Sequence, residues 1–535
     1  MRRVLELLLV VVAVGSCAVA VWMYVQDAAP PATSASAPNV RPAPSTAPDR
    51  GTPPPSNLPL ATADSLKAIF EAEQIADPMQ RCLGYPTPTG YHWPQAMVAA
   101  RCADALAPGL AWETFKSAIE NGKAKEIDAH LDALVAGYFD KSVPEGAFHH
   151  AYIDDFWSSS AAVKGLFDQW LAQSPKSAHA FAARGMHWLA SAQEARGEDT
   201  IANTPAENLA NMRKALDMAQ GDLEKAISIN PRVMPAYSAL IYAAKLGGNK
   251  ELAERTIRQA TKIDPAAFIP RAYLSDMYEP RWGGSYEAMD RIAAEAMPLV
   301  DQNPRLTDLK VTALASRGLP LHWAHDYAGA LREFDKGLAE GPDRFYLDLA
   351  QYAAGETNDN VRAVELQSQI VRFAPNDAGA RRTRAYYLTK LGRDDWAQSD
   401  LDIALRANPN DAKTIRAAVN LMIRKNDNEA AEAKLKKLIA LDPTDRWAKV
   451  TLAWMYMHRT HRVAEATALL DEMLKAEPES GELWLMRVQL LDASPGPDMR
   501  DAVENFLRYA DTNAQDQRDM IPIAKNWLAT HPAKP

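Results

Sequence analysis

The sequence predicts an all-α fold in which helical repeats form a superhelix, preceded by a single transmembrane helix, a disordered linker and an N-terminal helical cap. Three observations lead to this fold class: an apolar run at the N-terminus, a stretch rich in proline and alanine behind it, and short peptides ending in proline that recur at a nearly constant spacing. The 535 residues are too many for one ordinary hydrophobic core, so several domains or an elongated array are expected.

The balance of acidic and basic side chains argues against nucleic acid as a partner. The chain has 59 Lys and Arg against 68 Asp and Glu, which gives a formal net charge of -9. A surface that neutralises phosphates needs an excess of basic side chains, so nucleic acid is not expected as a partner.

Residues 1–27 are predicted to form a transmembrane signal anchor. The run at 4–25 contains one charge, Glu6, and at about 1.5 Å per residue a helix of that length extends for about 33 Å, enough to cross a bilayer core. Arg2 and Arg3 precede the run and hold the N-terminus inside, so the anchor is expected to lie in the inner membrane with the bulk of the chain in the periplasm.

Two other interpretations of this segment remain open. A cleaved signal peptide would need a shorter apolar stretch that ends in small residues, whereas this run continues through Trp22 and Tyr24. Alternatively, the residues at 14–17 resemble a bacterial lipobox, in which Cys17 would be acylated and the protein would be a lipoprotein. Each version places the bulk of the chain outside the cytoplasm.

Residues 28–61 are predicted to form a disordered linker of Pro, Ala and Ser. They contain ten of the chain's 36 prolines and almost no large apolar side chain. Such a segment buries too little apolar surface to offset the entropy that it would lose on ordering, so we expect it to act as a tether.

Residues 62–175 are predicted to form an N-terminal helical region that caps the repeats. Amphipathic stretches without the fixed spacing occur at 63–76, 94–107, 112–121, 123–139 and 158–173. This region also holds Cys82 and Cys102, which are expected to form a disulfide in an oxidising compartment; two buried free thiols are the other possibility. The bridge would contribute roughly 3 kcal/mol by closing its loop.

Residues 176–530 are predicted to carry the repeats. Peptides that end in proline recur at Pro375, Pro409, Pro443 and Pro478, and earlier in the chain at Pro231 and Pro265. Within each of these two groups, successive prolines are separated by about 34 residues, which is the length of one small structural unit in a repeat array. The constant period therefore predicts such an array.

The residues between these prolines also recur by size. The unit that ends at Pro409 has Ala385, Ala397, Leu401 and Ala404 where two closely crossing helices need small and large side chains next to each other. This pattern resembles the tetratricopeptide repeat, and seven or eight units fit into the chain.

Two units are longer than the regular ones, with insertions around 194–215 and at 280–284. The second insertion contains a turn motif formed by Arg281, Trp282, Gly283 and Gly284. In this background, the string at 280–285 resembles a bacterial family known as domain of unknown function 4034, which implies no activity. Either the tryptophan fills the joint between two helices while the glycines take backbone angles that other residues avoid, or it is an exposed aromatic that contacts a partner.

Motifs of common enzymes are absent from the sequence, which has no Gly-rich phosphate loop, no G-x-S-x-G and no H-E-x-x-H. The best metal-like cluster combines His149 and His150 with Asp154 and Asp155, a pattern more typical of solvated or capping groups. We therefore expect no cofactor, no metal and no enzymatic activity. The alternative is an enzyme or enzyme subunit of the cell envelope with a site in residues 62–175.

The tetratricopeptide resemblance implies which side chains line the concave groove, since positions 2, 5, 9, 12 and 13 of each first helix face it in such arrays. Three consecutive units place a basic and aromatic strip there: Arg382, Tyr386, Lys390, Lys413, Arg416, Asn420, Arg424, Trp447 and Trp454. In residue type the strip resembles the clamps that hold the terminal carboxylate of a peptide, although charged residues can also line any solvated groove. The expected function is that of a membrane-anchored periplasmic scaffold or adaptor that binds a protein or peptide.

Overall fold

The structure is a computed structural model that describes residues 63–107, 109–197, 203–493 and 498–532, and every secondary-structure element in those ranges is helical. The predicted anchor and linker, residues 1–61, lie outside the described residues. Among the helices in the described ranges, none has the length and apolar character needed to cross a membrane.

The chain divides into two compact units. We call them the N-terminal unit, which ends at Pro375, and the C-terminal unit, which begins at Asn376. The boundary falls directly after one of the recurring prolines, where one predicted repeat ends and the next begins.

The N-terminal unit contains eighteen described α-helices. They are α1 (Ala63–Glu73), α2 (Pro78–Gly84), α3 (Gln95–Leu106), α4 (Trp112–Glu120), α5 (Ala124–Asp140), α6 (Glu145–Phe156), α7 (Ala161–Gln173), α8 (Ala178–Arg196), α9 (Ala206–Ile229), α10 (Met234–Gly247), α11 (Lys250–Ile263), α12 (Ile269–Met277), α13 (Tyr286–Ala296), α14 (Thr307–Ala315), α15 (Leu319–Trp323), α16 (Tyr327–Leu338), α17 (Arg344–Glu356) and α18 (Asn360–Phe373). Short 3-10 helices lie at Pro280–Trp282, Met297–Leu299, Pro304–Leu306 and Ser316–Gly318.

The C-terminal unit contains nine described α-helices. They are α19 (Ala378–Lys390), α20 (Asp394–Ala407), α21 (Ala412–Arg424), α22 (Asn428–Leu441), α23 (Arg446–His458), α24 (Val463–Ala476), α25 (Gly481–Ala493), α26 (Met499–Tyr509) and α27 (Gln515–Thr530).

From α8 onward, the described helices follow one another as nine packed pairs, where the sequence suggested seven or eight units. The pairs are α8 with α9, α10 with α11, α12 with α13, α14 with α16, α17 with α18, α19 with α20, α21 with α22, α23 with α24, and α25 with α26. The last helix, α27, packs on the final pair.

Aspartates start the first helices of the regular pairs. Asp377, Asp411 and Asp445 are the N-caps of α19, α21 and α23, and the side chain of each accepts a hydrogen bond from the backbone N–H three residues later. Such a cap satisfies one of the N–H groups that have no partner inside the helix, and it is worth about 1 kcal/mol. Because these aspartates recur at the same spacing as the prolines, the repeated sequence fixes where each pair begins.

Small residues let the paired helices approach each other. Ala385, Ala397 and Ala404 are buried between α19 and α20 together with Leu401. These are the residues that suggested a two-helix repeat, and in the structure they occupy the contact between the two helices.

The first predicted insertion lengthens a helix pair. Helices α8 and α9 have 19 and 24 residues, whereas the neighbouring α10 and α11 have 14 each. The additional residues near 194–215 therefore extend both helices, and the connection at 198–202 lies outside the described residues.

The first three helices pack on α18 rather than on the first repeat, where they were predicted to lie. We expected all of residues 62–175 to cap the first repeat, but α1, α2 and α3 pack on α18, and α3 also packs on the turn at Pro304–Leu306. Helix α3 also packs on α6, and α4 to α7 lead into the first pair, where α6 and α7 contact α8. Because α1 to α3 cover it, α18 is buried at every residue from Arg362 to Arg372.

Polar contacts join this N-terminal segment to the repeats. The Arg372 guanidinium donates a 2.6 Å hydrogen bond to the Cys82 carbonyl, and the Tyr91 hydroxyl donates a 2.5 Å hydrogen bond to the Asp335 carboxylate. The same carboxylate pairs with Arg362 at 3.1 Å. The apolar periodicity of a helix shows which of its faces is buried, but not which distant helix covers that face. The prediction that α1 to α3 cap the first repeat was wrong for this reason.

Helices α2 and α3 carry the two cysteines of the predicted disulfide. The structure joins Cys82 to Cys102, with Cα atoms 5.9 Å apart, and both residues are buried. The bridge therefore ties together two helices of the segment that covers α18. Its oxidation in the cell stays a prediction.

Candidate partner-binding site

The predicted strip lies on the first helices of three consecutive pairs in the C-terminal unit. Helix α19 carries Arg382, Tyr386 and Lys390, helix α21 carries the four residues from Lys413 to Arg424, and helix α23 carries the two tryptophans. Of these nine residues, Lys390, Lys413 and Arg424 are exposed, and the other six are half-buried. All nine side chains are thus accessible to water at least in part.

The two central arginines of the strip pair with helix caps. Arg382 lies 3.2 Å from Asp411, and Arg416 lies 3.0 Å from Asp445. Each arginine thereby links its own first helix to the start of the next one. Their positive charges are partly compensated, so the strip is less cationic than its lysines and arginines suggested.

Asp411 and Asp445 were not among the predicted site residues, although their spacing in the sequence indicates a role there. Asp411 and Asp445 are separated by one repeat period, as are Arg382 and Arg416. When an arginine and an aspartate both recur with the repeat period, the arginine of one helix pair comes close to the aspartate of the next pair. This occurs for Arg382 with Asp411 and for Arg416 with Asp445. The matching periods were therefore sufficient to predict the contact.

The aromatic residues of the strip each lie against a cation or a second ring. The Lys390 ammonium is 4.6 Å from the centre of the Tyr386 ring, and the Arg416 guanidinium is 5.3 Å from the centre of the Trp447 ring. Trp454 contacts the His458 ring at 5.4 Å between centroids. Cation–aromatic contacts at exposed sites contribute about 0.5–1 kcal/mol, so a partner can rearrange them at small cost.

Two other groups shape the electrostatics of the strip. Arg424 pairs with Asp394 at 3.1 Å, but its side chain is 50% exposed, so water screens the contact. Burial lowers the pKa of His458, and the neighbouring His461 and Arg459 lower it further. His458 is therefore neutral at physiological pH and adds aromatic surface rather than charge. This combination of cations, amide and rings provides binding groups, and it offers no nucleophile with an activating base.

The turn motif lies in the N-terminal unit between α12 and α13. Gly283 has a φ of 78°, in the left-handed region that favours glycine, and a side chain on Gly284 would collide with the Tyr278 carbonyl. Trp282 is half-buried, and the Lys245 ammonium of α10 is 4.3 Å from the centre of its ring. The turn thus places Trp282 against the preceding helix pair.

The histidines considered for a metal site lie on α6. The His149 ring packs at 6.3 Å from the Tyr273 ring, measured between centroids. Over the described residues, no group of three or more His, Cys, Asp or Glu side chains is arranged to hold a metal ion.

Two family models match the chain. Residues 422–490 match a model described as "Tetratricopeptide repeat". The chain contains a tetratricopeptide repeat. Residues 113–254 match a model described as "Domain of unknown function (DUF4034)". Both resemblances drawn from the sequence are confirmed, although the string at 280–285 that suggested the second family lies outside the matched residues.

A curated relative is 26% identical over 294 residues, which is 54% of this chain. It is the "Cellulose synthase 2 operon protein C" of Komagataeibacter xylinus, and this chain spans 20% of its length. Similar solved structures include a tetratricopeptide repeat protein from Parabacteroides merdae, at 15% identity over 55% of this chain and 99% of that chain, with a TM-score of 0.32. Another is the APC/C hetero-tetramer Cut9-Hcn1, at 12% identity over 86% of this chain and 93% of that chain, with a TM-score of 0.31.

Proposed function

We propose that this protein is a membrane-anchored scaffold or adaptor of the bacterial periplasm, and that it binds a protein partner through the strip on α19, α21 and α23. The observation that carries the proposal is the row of accessible cations and aromatic rings on successive first helices. Such a row offers contacts at regular intervals to an elongated ligand. Residues of this kind, above all Trp, Tyr and Arg, contribute most of the binding energy at protein interfaces.

The proposed location follows from the N-terminal sequence. The apolar run at 4–25 is long enough to cross a bilayer, and Arg2 and Arg3 would keep its start in the cytoplasm. Residues 28–61 would then separate the folded units from the membrane. Acylation at Cys17 would give the same topology with a lipid anchor.

The proposed activity is binding, because the strip combines cations and aromatic rings of the kind that contribute most at protein interfaces. The name of the curated relative refers to a cellulose synthase operon. We therefore propose proteins of polysaccharide synthesis in the cell envelope as the first partners to test.

Affinity capture from membranes of the native host tests this proposal. The Arg416→Glu and Trp454→Ala variants should each recover less of the partner than the parent chain, since they remove a charge contact and aromatic area from the strip. The Lys475→Glu variant is the matched control, because Lys475 is exposed on the second helix α24 of the same unit. Equal recovery by all four proteins would show that binding occurs elsewhere.

A further inference from the structure

Helix α6 shows how the first helices of this chain pack against another helix of the same chain. It packs on α8 and α10, the first helices of the first two pairs. The Tyr152 hydroxyl of α6 bonds to His179 of α8, and Phe148 lines one small cavity with Pro235 and Ser238 of α10. In the repeat register these three contacted residues occupy positions 2 and 5, the same positions as the strip.

The N-terminal end of α6 adds a charged contact. The Glu145 carboxylate accepts hydrogen bonds from the backbone N–H groups of Phe268 and Ile269, at 3.1 and 3.0 Å, where α12 begins. It also accepts a 2.8 Å hydrogen bond from the Asn303 amide. The start of a helix carries partial positive charge, which offsets part of the cost of burying this carboxylate.

The apolar face of α6 is aromatic. Phe148, Tyr152 and Phe156 follow one another at four-residue intervals and are all buried, and their rings are in sequential contact at 5.9 and 5.5 Å between centroids. Residues four apart lie on one side of a helix. Tyr152 contacts α8 and Phe148 borders a cavity with α10, whereas the Phe156 ring packs on Phe167 and Trp170 of α7. Helix α6 therefore fits two of these aromatic side chains and one terminal carboxylate to three successive first helices.

In the C-terminal unit the corresponding positions are accessible. Lys413, Arg416 and Asn420 of α21 are in the register of Pro235, Ser238 and Tyr242 of α10. Lys413 is exposed, and the Arg416 side chain is 30% exposed. The aromatic surface of Trp447 and Trp454 lies on the next first helix.

We propose that the strip binds an amphipathic α-helix of a partner protein, with aromatic residues on one face and carboxylates beside them. This inference rests on the proposed function and specifies its ligand. Charge complementarity supports it, because lysine and arginine replace the proline and serine that α6 covers. The size agrees as well: α6 has 12 residues, or about 18 Å at 1.5 Å each, and three neighbouring first helices about 10 Å apart span about 20 Å.

Fluorescence anisotropy with a peptide probe tests the proposal. The probe is a labelled synthetic peptide with the sequence of residues 144–157, whose Glu145, Asp154 and Asp155 supply three carboxylates. It is titrated with the purified full-length chain in detergent. The groove on α8 and α10 is not expected to take the probe, because α6 of the same chain competes there at an effective concentration of the order of millimolar.

Saturable binding is expected, and it should weaken by at least about tenfold for Arg416→Glu and for Lys413→Glu, while Lys475→Glu should bind as the parent does. Lys413 is exposed, so its variant keeps the test valid if Arg416→Glu proves to be unfolded. A probe with Ala151→Pro, which cannot remain helical, should also bind at least about tenfold more weakly.

Equal binding of the proline probe would show that the strip accepts extended peptides and would overturn the proposal. No saturable binding by the parent, or equal binding by both charge-reversed variants of α21, would overturn it too. If affinity capture from membranes still depended on Arg416 and Trp454 in that case, the proposed scaffold function would stand and only the helical ligand would be excluded.

Discussion

Replacing Asp400 by asparagine should destabilise the C-terminal unit, because this carboxylate joins α20 to the helix that carries the first part of the strip. Asp400 accepts hydrogen bonds from Arg384 at 2.7 and 2.6 Å and from Arg381 at 2.7 Å. The Asp400 side chain is 1% exposed and that of Arg384 is 0% exposed. Water therefore cannot take the place of the lost charge. The asparagine keeps the shape of the side chain but removes the charge and directs an N–H group toward the guanidinium ions.

The expected cost follows from this burial. Removing one partner from a buried ion pair costs about 3–5 kcal/mol, whereas an exposed pair is worth about 0.2–1 kcal/mol. We expect the free energy of unfolding of the C-terminal unit to fall by about 3 kcal/mol or more. Urea unfolding followed by circular dichroism measures it, and hydrogen exchange of the α19 and α20 amides assigns the loss to this unit.

Asp395→Asn is the matched control, since the Asp395 side chain is 66% exposed and lies 3.5 Å from Arg393. Its effect should stay below about 0.5 kcal/mol. If the two asparagine variants differed by less than about 1 kcal/mol, the argument that burial sets the cost of losing this carboxylate would be refuted.

Three further predictions concern the N-terminal part of the chain. Burial raises the pKa of Glu145 from 4.5 to about 7 despite three hydrogen-bond donors, so the folded chain binds this proton more tightly than the unfolded chain, and the free energy of unfolding should fall as pH rises from about 4.5 to 7. Glu145→Gln should flatten that part of the stability curve, and an unchanged slope would contradict the assignment. Cys82 and Cys102 should resist alkylation in denatured, unreduced protein, and two labelled thiols would exclude the bridge. A reporter fused after residue 60 should be active only outside the cytoplasm, and cytoplasmic activity would rule out the proposed topology.

The sequence was sufficient to predict the repeats because their determinants are local. The recurring prolines end one helix pair and the recurring aspartates begin the next, and the small residues around Ala397 mark where the two helices cross. Propensity, capping and close packing all act within one unit of the array. Their pattern can therefore be recognised without any knowledge of distant contacts.

The misplaced elements depend on contacts between residues far apart in the chain. Nothing in the apolar pattern of α1 to α3 shows that they cover α18. The buried Arg362 and Arg372 of α18 were the available signal, since charged residues in the middle of a buried helix need polar partners. Those partners include Asp335 and the carbonyl of Cys82, which could not be identified from spacing alone.

Site-specific photocrosslinking in living cells of the native host tests the central claim most directly. A photoreactive amino acid is introduced at Lys413, on the strip, or at Lys475, on a second helix of the same unit. We predict that only the first position forms an adduct with a specific envelope protein, and that Trp454→Ala weakens this adduct. The same adduct from both positions, or an adduct at position 413 that does not depend on Trp454, would contradict the assignment of the strip as the partner-binding site.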